Sequence, residues 1–398
     1  MNFKIFSKQS SGNNTTKKRW LRIALFFIVL VVLVFGVFAW KTGFILNKIS
    51  QGNANIFGSL IKSLPGMDKT LSGEKDGRIN ILLLGMRGEG VEGGGLLADT
   101  IMVLSIHPKQ DEQDTTRASI ISVPRDLYVK VPNREEHRKI NAVYALGEER
   151  ELHKGGMEDM RTMVGEVTGL DIPYAITINF QGFKDLVNAL GGINVTLTEP
   201  FEENMQFREP HVCDSYVFTV PTKPPQFEHK YHTRKDGSRY IAESYPLCYN
   251  PNLECGGAFK LSAGENMLDG DKALCYARSR VTSNDFERAK RQQQVIQSIK
   301  DKALATGTLT SFDTINNVLD SLGNNIRTNL EAWEMKRFVE LYQKVGNESK
   351  VVQKVLDTTE EGLLYHPENS APEAGYILMP RGDNYDRIHE LFKNSLNP

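Results

Sequence analysis

The chain has 398 residues, of which 40% are hydrophobic and 24% are charged, and its net charge is -1. This composition is ordinary for globular proteins and allows one large domain or two smaller ones, so disorder is not expected. The near-zero net charge rules out a generally basic nucleic-acid-binding surface, and no nucleic acid is expected as a partner. Any anion site must therefore come from a local cluster of cations.

The first predicted element is a membrane span near the N-terminus. Residues 23–40 read IALFFIVLVVLVFGVFAW and carry no charge, whereas residues 1–22 carry lysines and arginines but no acid. About 18 to 20 apolar residues cross a hydrocarbon core of about 30 Å, and a basic flank favours the cytoplasmic side. We predict a single-pass cell-membrane protein with a cytoplasmic segment at 1–19, a transmembrane helix at 20–40 and an extracytoplasmic C-terminal domain. A cleavable signal peptide is the alternative, but no small-x-small cleavage site follows the apolar run.

This location determines how the cysteines are interpreted. Cys213, Cys248, Cys255 and Cys275 lie in or just after one stretch, and their spacing matches no standard zinc site. An oxidising compartment permits disulfides. We predict disulfides, or free thiols in an organism that does not oxidise them, and the pairing is left open.

Short apolar runs predict the strands of an α/β domain after a polar linker at 41–77. The runs are INILLLGM at 79–86, TIMVLSIHP at 100–108, ASIISVPRDLYVKV at 118–131, YAITINF at 174–180 and INVTL at 193–197. A helix at 157–169 that stops at TGLDIP and a second helix, QGFKDLVNALGG, alternate with the later strands. This alternation predicts an α/β fold, a three-layer α-β-α sandwich around a mixed central sheet.

The folded domain is predicted at 78–350, with 351–398 as its C-terminal segment. Residues 201–260 interrupt the pattern with TKPPQFEHKYHTRKDGS, which is polar and without apolar periodicity, so we interpret them as an insertion. Further helices are predicted near 285–305, 311–322 and 331–345, and KVVQKVLD is predicted as a late strand.

A glycine-rich loop after the first strand is one candidate motif. GEGVEG, residues 88–93, satisfies G-x-G-x-x-G, but it carries two glutamates and leads into another strand. A Rossmann turn must open a helix, and no Lys-Ser/Thr pair is present to form a P-loop. We therefore interpret the segment as a flexible loop flanking a site rather than a nucleotide-binding loop.

Charged residues at strand ends form a second candidate site. Asp99 precedes the strand TIMVLSIHP, and Arg125 and Asp126 follow ASIISV. Ligands of open α/β sheets collect at strand ends, and carboxylates beside an arginine suit a divalent cation that holds a phosphorylated ligand. The alternative is structural, with PRD as a turn and Asp99 as a cap, and these residues taken alone favour it.

The stretch YARSRVTSNDFERAKRQQQVIQ, residues 276–297, supports the ligand site. If a helix begins near Asp285, its apolar stripe is Ala289, Ile296, Ile299 and Ala303. Asp285, Arg288 and Gln292 would project within about a quarter turn of that stripe, toward the interior. A buried guanidinium without a partner is strongly destabilising, so an anionic ligand is expected there.

Three further cations are candidates for the same place. Arg278 and Arg280 alternate on YARSR, which we interpret as strand-like, and would share one side of it. Lys139 lies in HRKINAVYALG, in a predicted turn before a helix, and alone it would be a surface lysine. Arginine suits bidentate phosphate binding better than lysine does.

Together these motifs resemble the LytR-CpsA-Psr family of cell-envelope proteins. The matching pieces are ILLLGM, ADTIMVLSI, ISVPRDLYV, KINAVYALG, YAITINFQGFKDLVNALGGINV, LDGDKALCYARSR and DFERAKRQQQVI. The resemblance implies an extracytoplasmic phosphotransferase that depends on Mg²⁺ or Mn²⁺. It would move a glycopolymer from a polyprenyl-pyrophosphate carrier at the membrane onto peptidoglycan or another cell-wall acceptor.

The resemblance also implies roles for the site residues. Asp99 and Asp126 would hold the metal. The pyrophosphate would be held by Arg125, Lys139, Arg278, Arg280, Arg288 and Gln292. Asp285, Arg288 and Arg125 would be catalytic, with Asp285 as organiser or possible base. An apolar tunnel for the lipid is implied too, and the candidates for its wall, more often core residues, are Val187, Leu190, Ile193 and Val195.

The chain departs from the family pattern at the glycine-rich loop. Met86 and Arg87 follow Gly85, and Leu97 precedes Ala98, where family members commonly have an acid and an arginine. Two alternatives stay open: a polyprenyl-pyrophosphate hydrolase, and a non-catalytic envelope regulator or lipid-carrier-binding protein. No G-x-S-x-G or H-E-x-x-H motif indicates hydrolysis by another route.

Overall fold

The computed structural model describes residues 70–90, 94–108, 116–203, 220–221, 225–249, 259–279, 284–305, 318, 322–345, 351–368 and 375–396. The chain divides into two compact units, Met1–Lys48 and Ile49–Pro398, and every described residue belongs to the second unit. The predicted cytoplasmic segment and transmembrane helix lie outside the described residues. Within the described part of the chain, no helix has the length and apolar character of a membrane span.

Strands and helices alternate through the described residues. The strands are β1 Ile79–Met86, β2 Thr100–His107, β3 Arg117–Ser122, β4 Tyr128–Lys130, β5 His137–Lys139, β6 Tyr174–Asn179, β7 Ile193–Leu197, β8 Phe201–Glu203, β9 Val220–Pro221, β10 Phe227–Thr233, β11 Arg239–Pro246, β12 Cys248–Tyr249, β13 Phe259–Leu261, β14 Gly264–Leu268, β15 Ile326–Thr328, β16 Val351–Val355, β17 Leu364–Tyr365 and β18 Met379–Pro380. The α-helices are α1 Val143–Arg150, α2 Gly155–Thr168, α3 Phe180–Ala189, α4 Gly270–Arg278, α5 Asp285–Ala305, α6 Ala332–Val345 and α7 Asp386–Asn394.

A mixed six-stranded sheet forms the centre of the fold, in the order β15-β6-β1-β2-β3-β16. β1 pairs in parallel with β6 and antiparallel with β2. β3 pairs antiparallel with β2 and in parallel with β16. The inner strands β1 and β3 are buried along most of their length and β2 along half of it, as continuous apolar runs predict. The predicted mixed α/β fold is confirmed.

Alternate residues of the central strands contact different helices. Leu82 of β1 and Ile121 of β3 pack in the larger core cluster with Tyr144 of α1. Ser122, the next residue of β3, faces the other way, and its hydroxyl accepts a hydrogen bond from Gln293 of α5 at 2.8 Å. Because side chains alternate along a strand, α1 and α5 contact opposite faces of the sheet.

Caps encoded in the sequence determine where three helices begin or end. α2 ends where Gly169 adopts a left-handed φ of 69°, at the predicted TGLDIP stop. α3 begins after Asn179, whose side-chain oxygen accepts a hydrogen bond from the Gly182 N–H at 2.8 Å. α4 begins after Asp269, whose carboxylate accepts from the Lys272 N–H at 2.9 Å.

A second core cluster joins α3, α4 and α5 to the paired strands β7 and β14. Val187, Ile193 and Val195 are fully buried in this cluster, and Leu190 is also buried. These four residues, which the family resemblance made candidates for a lipid tunnel, therefore pack in the core.

Two strand predictions were wrong in detail. ASIISVPRDLYVKV is not one strand, because β3 ends at Ser122 and β4 begins at Tyr128. Pro124 lies between them, and proline has no N–H to continue a strand ladder. YARSR is not strand-like either, since its first three residues are the last turn of α4.

The insertion and the C-terminal segment add smaller elements. β8 pairs with β13 where the insertion leaves and rejoins the domain, and β10 and β11 form a hairpin within it. The predicted strand KVVQKVLD is confirmed as β16, and α7 packs in the larger core cluster through Ile388 and Phe392.

One cysteine bears on the disulfide prediction. Cys275 of α4 is disulfide-bonded and its side chain is fully buried in the second core cluster. Cys213 and Cys255 lie outside the described residues.

Candidate active site

One edge of the central sheet gathers the strand ends that carry charged residues. In the strand register, Gly85 near the end of β1 opposes Thr100 at the start of β2. Ser122 at the end of β3 opposes Met102 of β2 and Val355 at the end of β16. The residues before β2 and after β3 therefore meet at this edge, as the strand-end argument predicts.

A single guanidinium at this edge faces three carboxylates. Arg125 Nη1 lies 2.7 Å from Asp99 Oδ1, and Arg125 Nε lies 3.5 Å from Asp285 Oδ2 and 3.7 Å from Asp126 Oδ2. Among the described residues, Nε of Arg125 is buried and has no hydrogen-bond partner. That N–H is a donor that an anion could satisfy.

The first turn of α5 supplies a second buried guanidinium. Arg288 Nη2 lies 2.7 Å from Asp285 Oδ2 and 3.5 Å from the backbone oxygen of Asp99, and the Arg288 side chain is only 9% exposed. On the outer side of the same helix, Lys290 pairs with Glu287 at 2.8 Å. The prediction that Arg288 and Asp285 face inward while Lys290 faces solvent is confirmed.

Lys139 completes the group from the end of β5. Its Nζ lies 2.9 Å from Asp126 Oδ1, because β5 pairs with β4 and brings Lys139 opposite Tyr128. We call the group defined by these contacts the Arg125 cluster. Its members are Asp99, Arg125, Asp126, Lys139, Asp285 and Arg288.

Burial and neighbouring cations act on the Asp99 carboxylate in opposite directions. Burial would raise the pKa of Asp99, but Arg125, Arg288 and Arg87 together lower it below its ordinary value. Burial would also lower the pKa of the Arg125 guanidinium, and the carboxylates of Asp99, Asp285 and Asp126 outweigh it and raise that pKa. The Asp99 carboxylate and the Arg125 guanidinium therefore stabilise each other in their charged forms.

Of the other predicted site residues, Gln292 lies at the margin of the cluster, whereas Arg278 contacts Phe180 and is not among the residues that line the adjoining cavity. Gln292 lines the adjoining cavity and donates to the Ala277 carbonyl at 3.3 Å. The Arg278 guanidinium lies 4.3 Å from the ring centroid of Phe180. Arg280 lies outside the described residues, so its predicted role stays a prediction.

A cavity of about 310 Å³ adjoins the cluster. Asp99, Arg125, Asp285, Arg288 and Gln292 line it. This lining of carboxylates, guanidinium groups and an amide matches the charge and hydrogen-bonding pattern of a phosphate group held with a cation.

The apolar stripe predicted for α5 covers only part of its buried surface, because the helix is buried on more than one side. Of the predicted stripe, Ala303 is buried and Ile299 is partly buried against the second core cluster. Gln293 donates to Ser122 Oγ and to the Lys354 carbonyl, and Arg291 donates to the Tyr276 carbonyl. α5 thus contacts the sheet with one side and α4 with another. A prediction that assumes one apolar stripe along the helix misses the second contact.

Tyr376 is a candidate site residue that the sequence did not indicate. Burial, followed by the nearby carboxylates of Asp126 and Asp285, raises the pKa of its phenol. Its ring stacks on His366 with centroids 4.6 Å apart, and the residue is 49% exposed. The chain reaches this position because the Leu378 N–H donates to the Asp126 carbonyl at 2.9 Å.

Comparison with known proteins identifies related sequences and folds. The profile of the LytR_cpsA_psr family matches residues 47–377. A Bacillus cereus protein named polyisoprenyl-teichoic acid–peptidoglycan teichoic acid transferase TagU is 26% identical over 331 residues, which are 79% of this chain and 86% of that protein. The crystal structure of B. subtilis TagV aligns with a TM-score of 0.50 at 20% identity and covers 80% of this chain and 97% of that chain. A structure of TagT bound to LI-WTA aligns with the same TM-score and identity and covers 84% of this chain and 96% of that chain. The two structures show a shared fold alone.

Proposed function

The chain belongs to the LytR_cpsA_psr family, and from this membership and the geometry of the Arg125 cluster we propose that it is a cell-wall glycopolymer transferase. It takes a glycopolymer from a polyprenyl-pyrophosphate carrier and attaches it through a phosphodiester to peptidoglycan or another cell-wall acceptor. The name of the B. cereus relative, a polyisoprenyl-teichoic acid–peptidoglycan teichoic acid transferase, supports this class of donor and acceptor.

The observation that carries the proposal is the buried donor set of Arg125. Its Nε is buried and lacks a hydrogen-bond partner among the described residues. Nη1 of Arg87 is also buried and also lacks such a partner there. Arg288, nearly inaccessible to solvent, lies beside the same carboxylates. Guanidinium groups bind phosphate oxygens with strong, directional hydrogen bonds, so a pyrophosphate satisfies donors that the protein leaves available.

Charge balance supports a divalent cation as part of the bound state. Three carboxylates of the cluster offset Arg125, Lys139 and Arg288, and Arg87 adds one further cation nearby. This small excess does not neutralise a pyrophosphate. Among the described residues no group of three His, Cys, Asp or Glu side chains forms a metal site. That donor set still fits Mg²⁺, which is commonly held by one or two carboxylates and by substrate phosphates.

We therefore propose Mg²⁺, or Mn²⁺, as the cofactor, with Asp99 and Asp126 as its protein ligands. When bound, the cation supplies neutralising charge and Lewis acidity at the phosphate oxygens. Arg125, Arg288 and Lys139 would hold the pyrophosphate, and Gln292, Arg278 and Arg280 would add hydrogen-bond donors to it.

The transfer breaks the phosphoanhydride bond of the carrier and forms a phosphate ester with the acceptor. The oxygen of an acceptor hydroxyl attacks the phosphorus next to the sugar, and the bond from that phosphorus to the bridging oxygen breaks. Polyprenyl phosphate leaves with the bridging oxygen and its electron pair, and the hydroxyl proton passes to a carboxylate, for which Asp285 is placed beside Arg288. Fixed cations that face the developing charge lower the barrier.

The location of the reaction and the layer arrangement belong to the same proposal. A transmembrane helix at 20–40 would keep the domain next to a lipid-borne donor outside the cytoplasm. The contacts of α1 and α5 with opposite faces of the sheet support the three-layer sandwich.

Turnover of a synthetic donor tests the function. The purified full-length chain would be incubated with Mg²⁺, a short polyprenyl-pyrophosphate-linked disaccharide and a peptidoglycan oligomer, and the phosphodiester product measured by mass spectrometry. We expect Arg288→Met and Asp99→Asn to lower turnover by about a hundredfold or more, because each removes charge stabilisation at the phosphates. Lys290→Met and Asp301→Asn are matched controls, since these exposed residues of α5 carry the same charges, and they should keep normal turnover.

The same assay separates the alternatives. A lipid-carrier-binding protein would show no turnover, lose donor binding with Arg288→Met and tolerate Asp99→Asn. A hydrolase would release the sugar phosphate at the same rate with and without the acceptor. Either result would overturn the transferase proposal.

A further inference from the structure

A second cavity opens at the same edge of the sheet. Its volume is about 330 Å³, and Thr177, Asn179, Asn325 and Arg327 are among the residues that line it. Thr177 and Asn179 alternate with Ile178 along β6, on the side of the strand that carries Ala175 of the larger core cluster. The cavity therefore lies on the face of the sheet that α1 covers, whereas the Arg125 cluster is bounded by α5 on the other face.

The amide groups of this cavity have spare hydrogen-bonding capacity. Asn179 uses both ends of its side chain, accepting from the Gly182 N–H and donating to Asn325 Oδ1 at 2.9 Å. That contact leaves the Asn325 amide N–H groups without a partner among the described residues. The exposed side chain of Asn324, which also lines the cavity, makes no hydrogen bond within the same part of the chain. Donors and acceptors are thus both available to a ligand.

The charge in this cavity is already compensated. Arg327 Nη2 lies 2.9 Å from Glu89 Oε2, and Arg327 Nη1 donates to His153 Nδ1 at 2.8 Å. The phenol of Tyr144 interacts with the Arg327 guanidinium and with Thr177 from inside the core. Among the described residues that line this cavity, the cation is Arg327, and because it is already paired a second phosphate would find no uncompensated charge here. A neutral ligand rich in hydroxyl and amide groups matches the set of donors and acceptors.

The end of β1 connects the two cavities. Met86 and Gly88 line the second cavity, and Gly85, which precedes them, opposes Thr100, which follows Asp99 and lines the first cavity with it. Gly88 has a φ of 138°, and a Cβ there would lie 3.4 Å from Asn179 Nδ2. The positive φ favours glycine at this position, and the loop lies in van der Waals contact with β6. A group bound in the second cavity is therefore close to one bound at Asp99.

We propose that this second cavity, the Asn325 cavity, binds a neutral sugar residue of the acceptor glycan and holds it beside the phosphate site. The inference rests on the proposed transferase function for the identity of the glycan. The cavity itself predicts only the chemistry of the ligand, an uncharged sugar, and that part can be tested without turnover. The donor glycan is the other possible source of such a sugar.

Filling the cavity tests the proposal. Asn324→Trp would place an indole in its mouth, and Asn324→Ala would remove only the amide. Asn394→Trp is a matched control, because Asn394 is an exposed asparagine at the end of α7. The neighbouring Phe392 carbonyl accepts from Arg78, which precedes β1 at the opposite edge of the sheet. Circular dichroism would show that each full-length variant is folded.

Two readouts separate the possible sugar sources. The first is binding of a β1,4-linked N-acetylglucosamine tetramer, measured by saturation-transfer NMR, and we expect Asn324→Trp to abolish it and Asn394→Trp to preserve it. The second is steady-state transfer, in which Asn324→Trp should raise KM for the peptidoglycan oligomer by about tenfold and leave KM for the donor within about twofold. Asn324→Ala should change both readouts in the same direction by less.

Three outcomes would overturn the inference. Tetramer binding that is unchanged in Asn324→Trp would show that the cavity binds no sugar. A higher KM for the donor with an unchanged KM for the acceptor would assign the cavity to the donor glycan. Equal effects of Asn324→Trp and Asn394→Trp would show a non-specific effect of tryptophan. If the wild-type chain gave no transfer, loss of tetramer binding in Asn324→Trp would still support the sugar site while the transferase proposal failed.

Discussion

Replacing Arg125 with methionine should destabilise the protein more than removing the carboxylate closest to it. Arg125 is the common partner of Asp99, Asp285 and Asp126, with its closest contact at 2.7 Å. Asp285 keeps Arg288 and Asp126 keeps Lys139 in the variant, so the uncompensated charge is chiefly that of Asp99.

The expected magnitude follows from burial. Loss of one partner from a fully buried pair costs about 3–5 kcal/mol, and because the two side chains are 21% and 23% exposed we expect about 2–3 kcal/mol for Arg125→Met. Asp99→Asn should cost only about 1 kcal/mol, since Arg125 keeps two carboxylate neighbours and asparagine can still accept a hydrogen bond.

Urea unfolding of the full-length chain near pH 7, followed by circular dichroism, would measure both variants. A change in midpoint with an unchanged slope reports a change in the free energy of unfolding. The order of the two variants is the decisive result. An Asp99→Asn cost equal to or larger than the Arg125→Met cost would refute the view that Arg125 is the shared partner of the cluster.

The stability that the pair of Asp99 and Arg125 contributes should depend on pH. The pKa of Asp99 is lower in the folded protein than in the unfolded chain. The carboxylate therefore contributes stability that is present above the unfolded pKa, about 3.9, and is lost as the pH falls through the folded value. In Arg125→Met that pKa rises, so the stability difference from wild type should shrink as the pH is lowered below about 4.

Three further predictions concern other parts of the fold. Gln293→Leu should lower the free energy of unfolding by about 2–4 kcal/mol, because it leaves buried acceptors in β3 and β16 unsatisfied, while the exposed Gln297→Leu should change it by less than about 0.5 kcal/mol, both measured by urea unfolding. Gly155→Ala should lower the melting temperature, because a Cβ at Gly155 would overlap the backbone oxygen of Gly147 where α1 and α2 cross; calorimetry would measure it, and an unchanged melting temperature would refute the close packing. Ultraviolet difference titration of wild type against Tyr376→Phe should assign to Tyr376 a phenol pKa above the ordinary value, and an ordinary pKa would contradict its placement beside the carboxylates.

The parts of the site that the sequence predicted are those set by local periodicity. Asp99 and Arg125 flank apolar runs, and antiparallel pairing of β2 with β3 brings the start of one strand to the end of the other. Arg288 was predicted to face inward because the helical period of 3.6 residues determines which side chains of α5 share one face of the helix. Both arguments need only the spacing of residues along one element and the rule that ligands collect at strand ends.

The missed residues depend on contacts between distant elements. Arg291 and Gln293 are buried because α5 packs against both α4 and the sheet, and no pattern within α5 shows a second buried side. Tyr376 and Arg327 lie in segments without a motif, and they come close to the sheet edge only through tertiary packing. YARSR was misread because two alternating arginines resemble a strand, although the Asp269 cap and the apolar side of α4 form a helix.

Binding of a small pyrophosphate tests most directly whether the Arg125 cluster is a pyrophosphate site. Isothermal titration calorimetry would measure the affinity of the full-length chain for geranyl pyrophosphate with and without Mg²⁺, using Arg288→Met and the exposed control Lys290→Met. We predict that Arg288→Met weakens binding by about tenfold or more, that Lys290→Met leaves it unchanged, and that Mg²⁺ strengthens binding to wild type. Equal affinities for wild type and Arg288→Met would contradict the central claim.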